Sequence, residues 1–270
     1  MGDRSRKLVA VVVAALAVTT ACSEGSGSSS AAGGAGDGDN PKEIASADEV
    51  IEVVDQGFAT YRVEKPGIKS DYLSYGFVVE NVSDEVALTV RARVEFLDEA
   101  GEPVEDASQG HEFSVVLPGQ RMGVGGSDMY ADTTSDVRPT IADMTVEITL
   151  ITALDTPDGE RYRKPPGAYA ELEVGDPVVG GADPATVEVT NTYDVPLKPK
   201  ATAVVRDADG TIVGGMDSNA TAQVQPGDSA QAEFFGLHVD EKRLAEGTIE
   251  CYADPNLGRM ITRTPVWHDV

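Results

Sequence analysis

Residues 87–101 read ALTVRARVEFLDEAG, and this stretch decides the fold class. Its apolar residues alternate with polar ones, which is the period-two pattern of a β-strand with one buried face. The pattern ends at Asp98-Glu99-Ala100-Gly101, where an Asp side chain and a glycine are typical of a tight turn. Short strands and frequent turn signals recur along the chain, and no long segment has helical periodicity. The sequence therefore predicts an all-β fold.

The same pattern occurs a second time about 110 residues later. Three landmarks recur in the same order, namely Asn81 with Asn191, Gly101 with Gly210, and Pro118 with Pro226. Chance does not readily explain three such matches, so they indicate an internal duplication of one β-rich unit. Both asparagines stand just before a turn, and we expect their side chains to bond that turn.

The duplicated pattern resembles tandem FxLYD-type domains, which are immunoglobulin-like β-sandwiches of bacterial envelope lipoproteins. The resemblance covers residues 48–155 and 168–267, and Asp98 and Asp207 occupy the Asp position of the run that names the family. The other positions of that run differ: Val94 and Ala203 stand at Phe, Phe96 and Val205 at Leu, and Leu97 and Arg206 at Tyr. The resemblance implies two tandem immunoglobulin-like β-sandwich domains.

On this interpretation the chain has five parts. Residues 1–21 form a lipoprotein signal peptide, and residues 22–45 form the lipid anchor and a disordered Gly/Ser linker. The first domain covers residues 46–155 and the second covers residues 168–270. Between them, the polar residues 156–167, which are rich in Pro and Gly, form the interdomain linker.

The last strands of the two repeats also align. Val146, Ile148 and Leu150 are expected to share one face of the first, so Ile249, Cys251 and Ala253 should share one face of the second. Cys251 then stands at a core position, and we expect its thiol to be buried and unreactive.

The N-terminus has the organisation of an export signal. Arg4, Arg6 and Lys7 precede an uncharged apolar run, residues 8–18, which is too short to span a membrane. Residues 19–22, TTAC, resemble the lipobox of bacterial lipoproteins. That resemblance implies a lipid on the sulfur of Cys22, supplying acyl chains such as palmitate, and an anchor in the extracytoplasmic face of the bacterial cell membrane.

The residues that follow Cys22 support this interpretation. Residues 23–40 are rich in Gly, Ser and Ala and have almost no apolar bulk, so they predict a flexible tether. Ordinary secretion with cleavage near Ala21 is the alternative. Lipidation of Cys22 would leave Cys251 as the sole thiol, so we expect no internal disulfide.

The charge composition limits the classes of partner that the chain is expected to bind. The chain has 46 acidic and 21 basic residues, a formal net charge of −25. Binding to nucleic acid needs clustered Lys and Arg that neutralise phosphates, so we expect no nucleic-acid partner. An acidic surface of this kind keeps a protein soluble, and capture of a cation is the alternative interpretation.

The sequence contains only weak matches to motifs for catalysis or for binding metal ions and phosphate. His111, His238 and His268 have no metal-ligand spacing, and we expect no cofactor and no catalytic residue. Residues 123–126, GVGG, lack the Lys-Ser/Thr of a phosphate loop, which favours a bulge or a close approach of strands. Residues 207–210, DADG, resemble the start of a calcium loop, but the twelfth position is a serine, which favours a turn.

An acidic loop and the single tryptophan each allow two interpretations. Asp128, Asp132 and Asp136 form a loose acidic loop with Tyr130, which is either solvated or a cation site. Trp267 is either a plug for the second core or an exposed contact.

These observations predict a non-enzymatic, membrane-anchored lipoprotein. Its role would be that of a protein-interaction or structural module of the cell envelope, with a partner protein that the sequence does not name. The alternative is a lipoprotein that binds a small ligand or a cation, motivated by the acidic charge and by the loop around Asp128.

Overall fold

A computed structural model shows the architecture of most of the chain. It describes residues 50–65, 68–104, 107–131, 140–154, 167–179, 185–235 and 246–257. Every regular element within these ranges is a β-strand, which confirms the all-β prediction.

Twelve strands are present in the described ranges, six in each repeat. The first repeat contains β1 (Ile51–Lys65), β2 (Ile68–Asn81), β3 (Leu88–Leu97), β4 (Gln109–Val116), β5 (Arg121–Ala131) and β6 (Asp143–Ala153). The second repeat contains β7 (Glu173–Val174), β8 (Thr186–Thr190), β9 (Lys200–Arg206), β10 (Ile212–Ala220), β11 (Ser229–Phe235) and β12 (Thr248–Asp254).

The strands form three antiparallel sheets. Two have three strands each, in the orders β1-β2-β5 and β4-β3-β6, and the third has the order β12-β9-β10-β11-β8-β7. In the third sheet β10 and β11 pair only at Asp217–Phe235 and Ser218–Phe234, so this junction divides it into two halves. The half β12-β9-β10 has the same order as β6-β3-β4, and the half β11-β8-β7 has the same order as β5-β2-β1. The two repeats therefore share one strand order, as the duplicated sequence pattern predicts.

Strand β3 shows how the alternating pattern produces the first core. Leu88, Val90, Val94 and Phe96 are almost completely buried between the sheets β1-β2-β5 and β4-β3-β6. Burial of each such side chain stabilises the fold by about 1.5–3 kcal/mol. The ring of Phe96 packs edge-on against Tyr75 at a centroid distance of 5.3 Å, which fixes the spacing of the two layers.

The second core lies between the two halves of the six-stranded sheet. Its members come mainly from β8, β9, β10 and β11, and they include Val187, Val189, Ala203, Val205 and Phe234. Residues of the first repeat join the same cluster, namely Ala87, Val115 and Leu154. Because of this sharing, the described residues of both repeats belong to one compact unit.

The predicted turns are confirmed. The Asp98 carboxylate accepts hydrogen bonds from the backbone N–H groups of Ala100 and Glu102, and Gly101 has φ of 81°. The Asp207 carboxylate makes the equivalent bonds to Asp209 and Thr211, and Gly210 has φ of 82°. Asp207 therefore belongs to a hairpin turn, as expected, rather than to a calcium loop.

The two landmark asparagines bond the turns that follow them, also as predicted. Asn81 accepts a hydrogen bond from the backbone N–H of Ser83 at 3.1 Å and donates to the carbonyl oxygens of Val86 and Val116. Asn191 accepts from Tyr193 at 2.9 Å and donates to Val195 and Val224. Both residues are completely buried.

The two repeats meet along a seam, formed where the sheet β1-β2-β5 packs on the strands β9, β10 and β12. A small apolar cluster of Val78, Val204 and Ile212 lies in this seam. Elsewhere the backbones touch directly: a Cβ atom built on Gly125 would lie 2.0 Å from the carbonyl oxygen of Ala203 and 2.4 Å from the Cα of Gly215. The expected close approach of the GVGG segment is therefore confirmed, and its partner is the second repeat.

One expectation about side-chain direction is wrong. Val146 and Ile148 pack on the first core, but Ile151 rather than Leu150 follows them there. The register between β3 and β6 shifts so that Arg91 lies opposite Leu150 while Ala92 lies opposite Ile148, which leaves Thr149 as an extra residue. A bulge of this kind reverses the alternation beyond it.

The seam generates a stability prediction. Replacing Gly125→Ala should lower the free energy of unfolding by about 3 kcal/mol or more, because the new methyl group overlaps backbone that has no room to move. Gly110→Ala is the matched control, since a Cβ on Gly110 meets nothing within 4 Å. It should be neutral or stabilising by about 0.4–1 kcal/mol. Urea denaturation compares the two, and equal stabilities would show that the seam is not packed as described.

Candidate functional site

Several residues singled out from the sequence lie outside the described part of the chain. The lipidation candidate Cys22 is one of them, and the others are Asp132, Asp136, His238, Trp267 and His268. The side chains of Asp128 and Tyr130 are also outside it. Within the described ranges, no helix is long and apolar enough to cross a membrane.

The described residues contain an open cavity of about 430 Å³ on the outer face of the sheet β4-β3-β6. We call it the Arg groove. Its principal lining residues are Arg91, Arg93, Gly110, His111, Glu112 and Thr149. The groove lies on the side of this sheet that faces away from the first core.

The groove exists because β4 has a glycine near its start. Gly110 lies directly opposite Arg93 in the register of β3 and β4, and the space where its side chain would project is empty. Arg91 lies opposite Glu112, and each of them is two residues from the Arg93–Gly110 pair on its own strand. The missing side chain leaves a depression beside the two arginines.

Each arginine is held by one carboxylate. Nε of Arg91 contacts Oε2 of Glu112 at 2.5 Å, and Nη2 of Arg93 contacts Oε1 of Glu95 at 3.0 Å. The arginine side chains are 37% and 53% exposed, so these pairs contribute little stability in water. Their main effect is to fix the directions of the two guanidinium groups.

His111 is one of the residues that line the groove, although its ring points into the protein. Its Nε2 lies 2.9 Å from the hydroxyl of Tyr75, and its ring packs against Phe77 at a centroid distance of 5.7 Å. Burial, together with the nearby Lys200 ammonium, lowers the pKa of His111 to about 4, while Asp217 opposes the change. The imidazole is therefore neutral at pH 7.

A carboxylate links the repeats near the end of β12. Asp254 accepts hydrogen bonds from the backbone N–H and the hydroxyl of Ser114 on β4, the former at 2.6 Å. It also accepts one from the backbone N–H of Asn256 at 2.6 Å. Burial raises the pKa of Asp254, although these hydrogen bonds oppose the shift. With all its contacts made inside the protein, Asp254 has the environment of a structural residue.

Arg206 makes a second polar link across the seam. It donates through Nε to Glu250 at 2.8 Å and through Nη1 to Asp55 of the first repeat. Burial alone would lower the pKa of Arg206, but the hydrogen bonds with Glu250 and Asp55 outweigh burial and raise it. Arg206 therefore connects β9 with β1 and β12.

Cys251 is only partly buried, which differs from the expected core position. It packs against the second core together with Ile249, on the face that also carries the buried Ala253. The predicted shared face is therefore confirmed. Burial, together with the negative charge of Asp176, raises the pKa of the Cys251 thiol to about 12.

Among the residues that the structure describes, no cluster of three or more His, Cys, Asp or Glu side chains is placed to hold a metal ion.

Sequence reasoning missed the Arg groove. One signal was present, since a glycine inside a strand often marks a place where another molecule approaches the backbone. The sequence alone does not give the register of β3 and β4, and it is this register that places Gly110 beside the two arginines.

No protein-family model matches the chain, and no curated protein matches it. The resemblance to FxLYD-type lipoproteins therefore stays a prediction based on the residues quoted for it.

The buried imidazole predicts a pH dependence. The pKa of His111 is about 4 in the folded state and about 6.5 when unfolded, so the unfolded state binds the proton more readily between these values. Stability should therefore fall as the pH decreases from 6.5 to 4, by up to about 3 kcal/mol from this residue. Asp254 titrates in the opposite sense, because its raised pKa favours the folded state at low pH.

The variant His111→Gln separates the two effects, since Asp254 is present in both proteins. Urea denaturation from pH 7 to pH 4 should show a smaller loss of stability in the variant than in the wild type. Identical pH profiles would contradict the assignment of the effect to His111.

The raised pKa of Cys251 predicts slow alkylation of its thiol. In a full chain with Cys22→Ala, Cys251 is the remaining thiol. At pH 8 a pKa of about 12 in place of about 9 lowers the thiolate fraction roughly a thousandfold, so iodoacetamide should alkylate Cys251 very slowly. Addition of urea should restore the ordinary rate. Fast alkylation without denaturant would show that the thiol is accessible and ionisable.

Proposed function

We propose that the chain is a non-enzymatic lipoprotein of the extracytoplasmic face of a bacterial cell membrane. In this proposal a lipid on Cys22 is the anchor, and residues 23–40 hold the folded body away from the membrane plane. The body serves as a protein-interaction or structural module of the cell envelope. The support for the anchor is the basic start of the chain, the short apolar run and the small residues before Cys22.

We further propose that each repeat is an immunoglobulin-like β-sandwich domain, covering residues 46–155 and 168–270, and that both are related to FxLYD-type domains. Three matched features support this proposal. They are the shared strand order, the equivalent bonds of Asn81 and Asn191, and the equivalent turns at Asp98 and Asp207.

A group of exposed apolar side chains carries the interaction role. Val178 is 67% exposed and Phe235 is 48% exposed, and both lie at one end of the outer face formed by β7, β8 and β11. Val178 bridges to Thr186, Thr186 pairs with Glu233, and Phe235 follows two residues later on the same face. Exposed apolar side chains grouped in this way are typical of a contact surface for another protein.

Charge indicates what kind of protein would bind this apolar patch, which we define as Val178 and Phe235. Glu188 and Glu233 are exposed beside it on the same face. A partner with an apolar contact residue surrounded by Lys or Arg would complement this arrangement. The proposed partner is therefore an envelope protein with a basic rim.

Crosslinking in the producing bacterium tests the proposal. The tagged full chain should crosslink to one dominant envelope protein, and Phe235→Ser should reduce that product at least tenfold. Val82→Ser is the matched control, because Val82 is 45% exposed and lies in the loop after β2, away from the patch. It should leave the product unchanged.

Cys22→Ala tests the anchor separately. This variant should leave the membrane fraction and lose the crosslink. Retention in the membrane would contradict lipidation of Cys22. A crosslinked product that survives both Cys22→Ala and Phe235→Ser would contradict the interaction role.

A further inference from the structure

We propose that the Arg groove binds a small ligand that carries two carboxylate groups. This inference goes beyond the proposed interaction role and does not rest on it, because the groove and the apolar patch lie on different sheets.

The spacing of the arginines suits two separate anionic groups. Arg91 and Arg93 are two residues apart on β3, so both project from the outer face, with Cα atoms about 6.7 Å apart. Arginine binds carboxylates through two parallel N–H···O bonds, which gives geometric specificity as well as energy. Two such groups side by side match the two ends of a short dicarboxylate.

Both guanidinium groups keep donors beyond their existing ion pairs. A guanidinium has five N–H donors. Arg91 contacts Glu112 through Nε, and Arg93 contacts Glu95 through Nη2, so neither pair occupies the whole group. The two glutamates orient the arginines and leave a ligand the remaining edges. They also add negative charge, so one carboxylate alone should bind weakly.

The groove has room for such a ligand. Its volume of about 430 Å³ falls within the range of about 300–1,000 Å³ typical of small-molecule sites. The floor beside Arg93 is the backbone of Gly110, where no side chain intervenes. Thr149 also lines the groove, and its hydroxyl lies 3.5 Å from the carbonyl oxygen of Arg91.

The test titrates the full chain at low ionic strength with succinate and glutarate, and with butyrate as the control that has a single carboxylate. Calorimetry or NMR should detect saturable binding of at least one dicarboxylate, and butyrate should bind at least tenfold more weakly. No saturable binding of either dicarboxylate, or equal binding of butyrate, would overturn the proposal.

Three variants locate the site. Arg93→Gln should weaken dicarboxylate binding at least tenfold. Arg121→Gln is the matched control, because Arg121 is an exposed arginine paired with Glu80 at 2.7 Å on a different sheet. It should leave the dissociation constant unchanged within twofold, and an equal loss in both variants would indicate only a general charge effect.

Gly110→Val removes the space without touching a charge. A Cβ atom at Gly110 meets nothing within 4 Å, and β-branched residues suit a strand, so the variant should fold normally. Its circular dichroism and urea midpoint verify the fold, and its dicarboxylate binding should be abolished. Normal binding by a folded Gly110→Val variant would place the anion elsewhere and overturn the proposal.

Discussion

A fully buried asparagine side chain holds each repeat together at the point where three segments of chain meet. In the first repeat Asn81 ends β2, bonds the following loop and reaches the carbonyl oxygen of Val116 at the end of β4. Its own backbone carbonyl accepts the N–H of Gly119, the glycine of the Pro-Gly turn. Asn191 and Gly227 repeat this arrangement. Loss of the amide would leave buried backbone groups unpaired, at a cost of about 1–3 kcal/mol for each. The duplicated landmarks are therefore parts of one hydrogen-bonded unit.

The two copies of this unit have been used differently. The strands β9, β10 and β12 pack on the first repeat, whereas the equivalent strands β3, β4 and β6 keep their outer face exposed. Along the matched strands Arg93 corresponds to Thr202 and Glu95 to Val204. Thr202 donates to the carbonyl oxygen of Gly123 across the seam, and Val204 is completely buried there. Small and apolar residues thus allow the outer face of β9, β10 and β12 to be buried against the first repeat. Charged residues keep the equivalent face of β3, β4 and β6 in contact with solvent.

The sequence was most informative where structure depends on neighbours in the chain. Alternation in β3, the turns at Asp98 and Asp207, and the role of Asn81 depend on local backbone geometry, so they could be predicted. The seam could be anticipated only in part, because the close approach at Gly125 was expected but its partner Gly215 lies 90 residues away. The bulge at Thr149 has no local signal, and it moved Ile151 into the place expected for Leu150. The Arg groove depends on register between two strands, which composition does not reveal.

The position of the seam decides how the remaining surfaces can work. Because β1-β2-β5 and β9-β10-β12 face each other, the sheets that present the Arg groove and the apolar patch are the outer ones. Backbone contact at Gly125 and Gly215 leaves no space for the inner sheets to slide, and the link from Arg206 to Asp55 resists their separation. The bond from Asp254 to Ser114 on β4 joins the two repeats at a further point. The body therefore holds the two surfaces on different sheets, so the two proposed binding sites do not exclude each other.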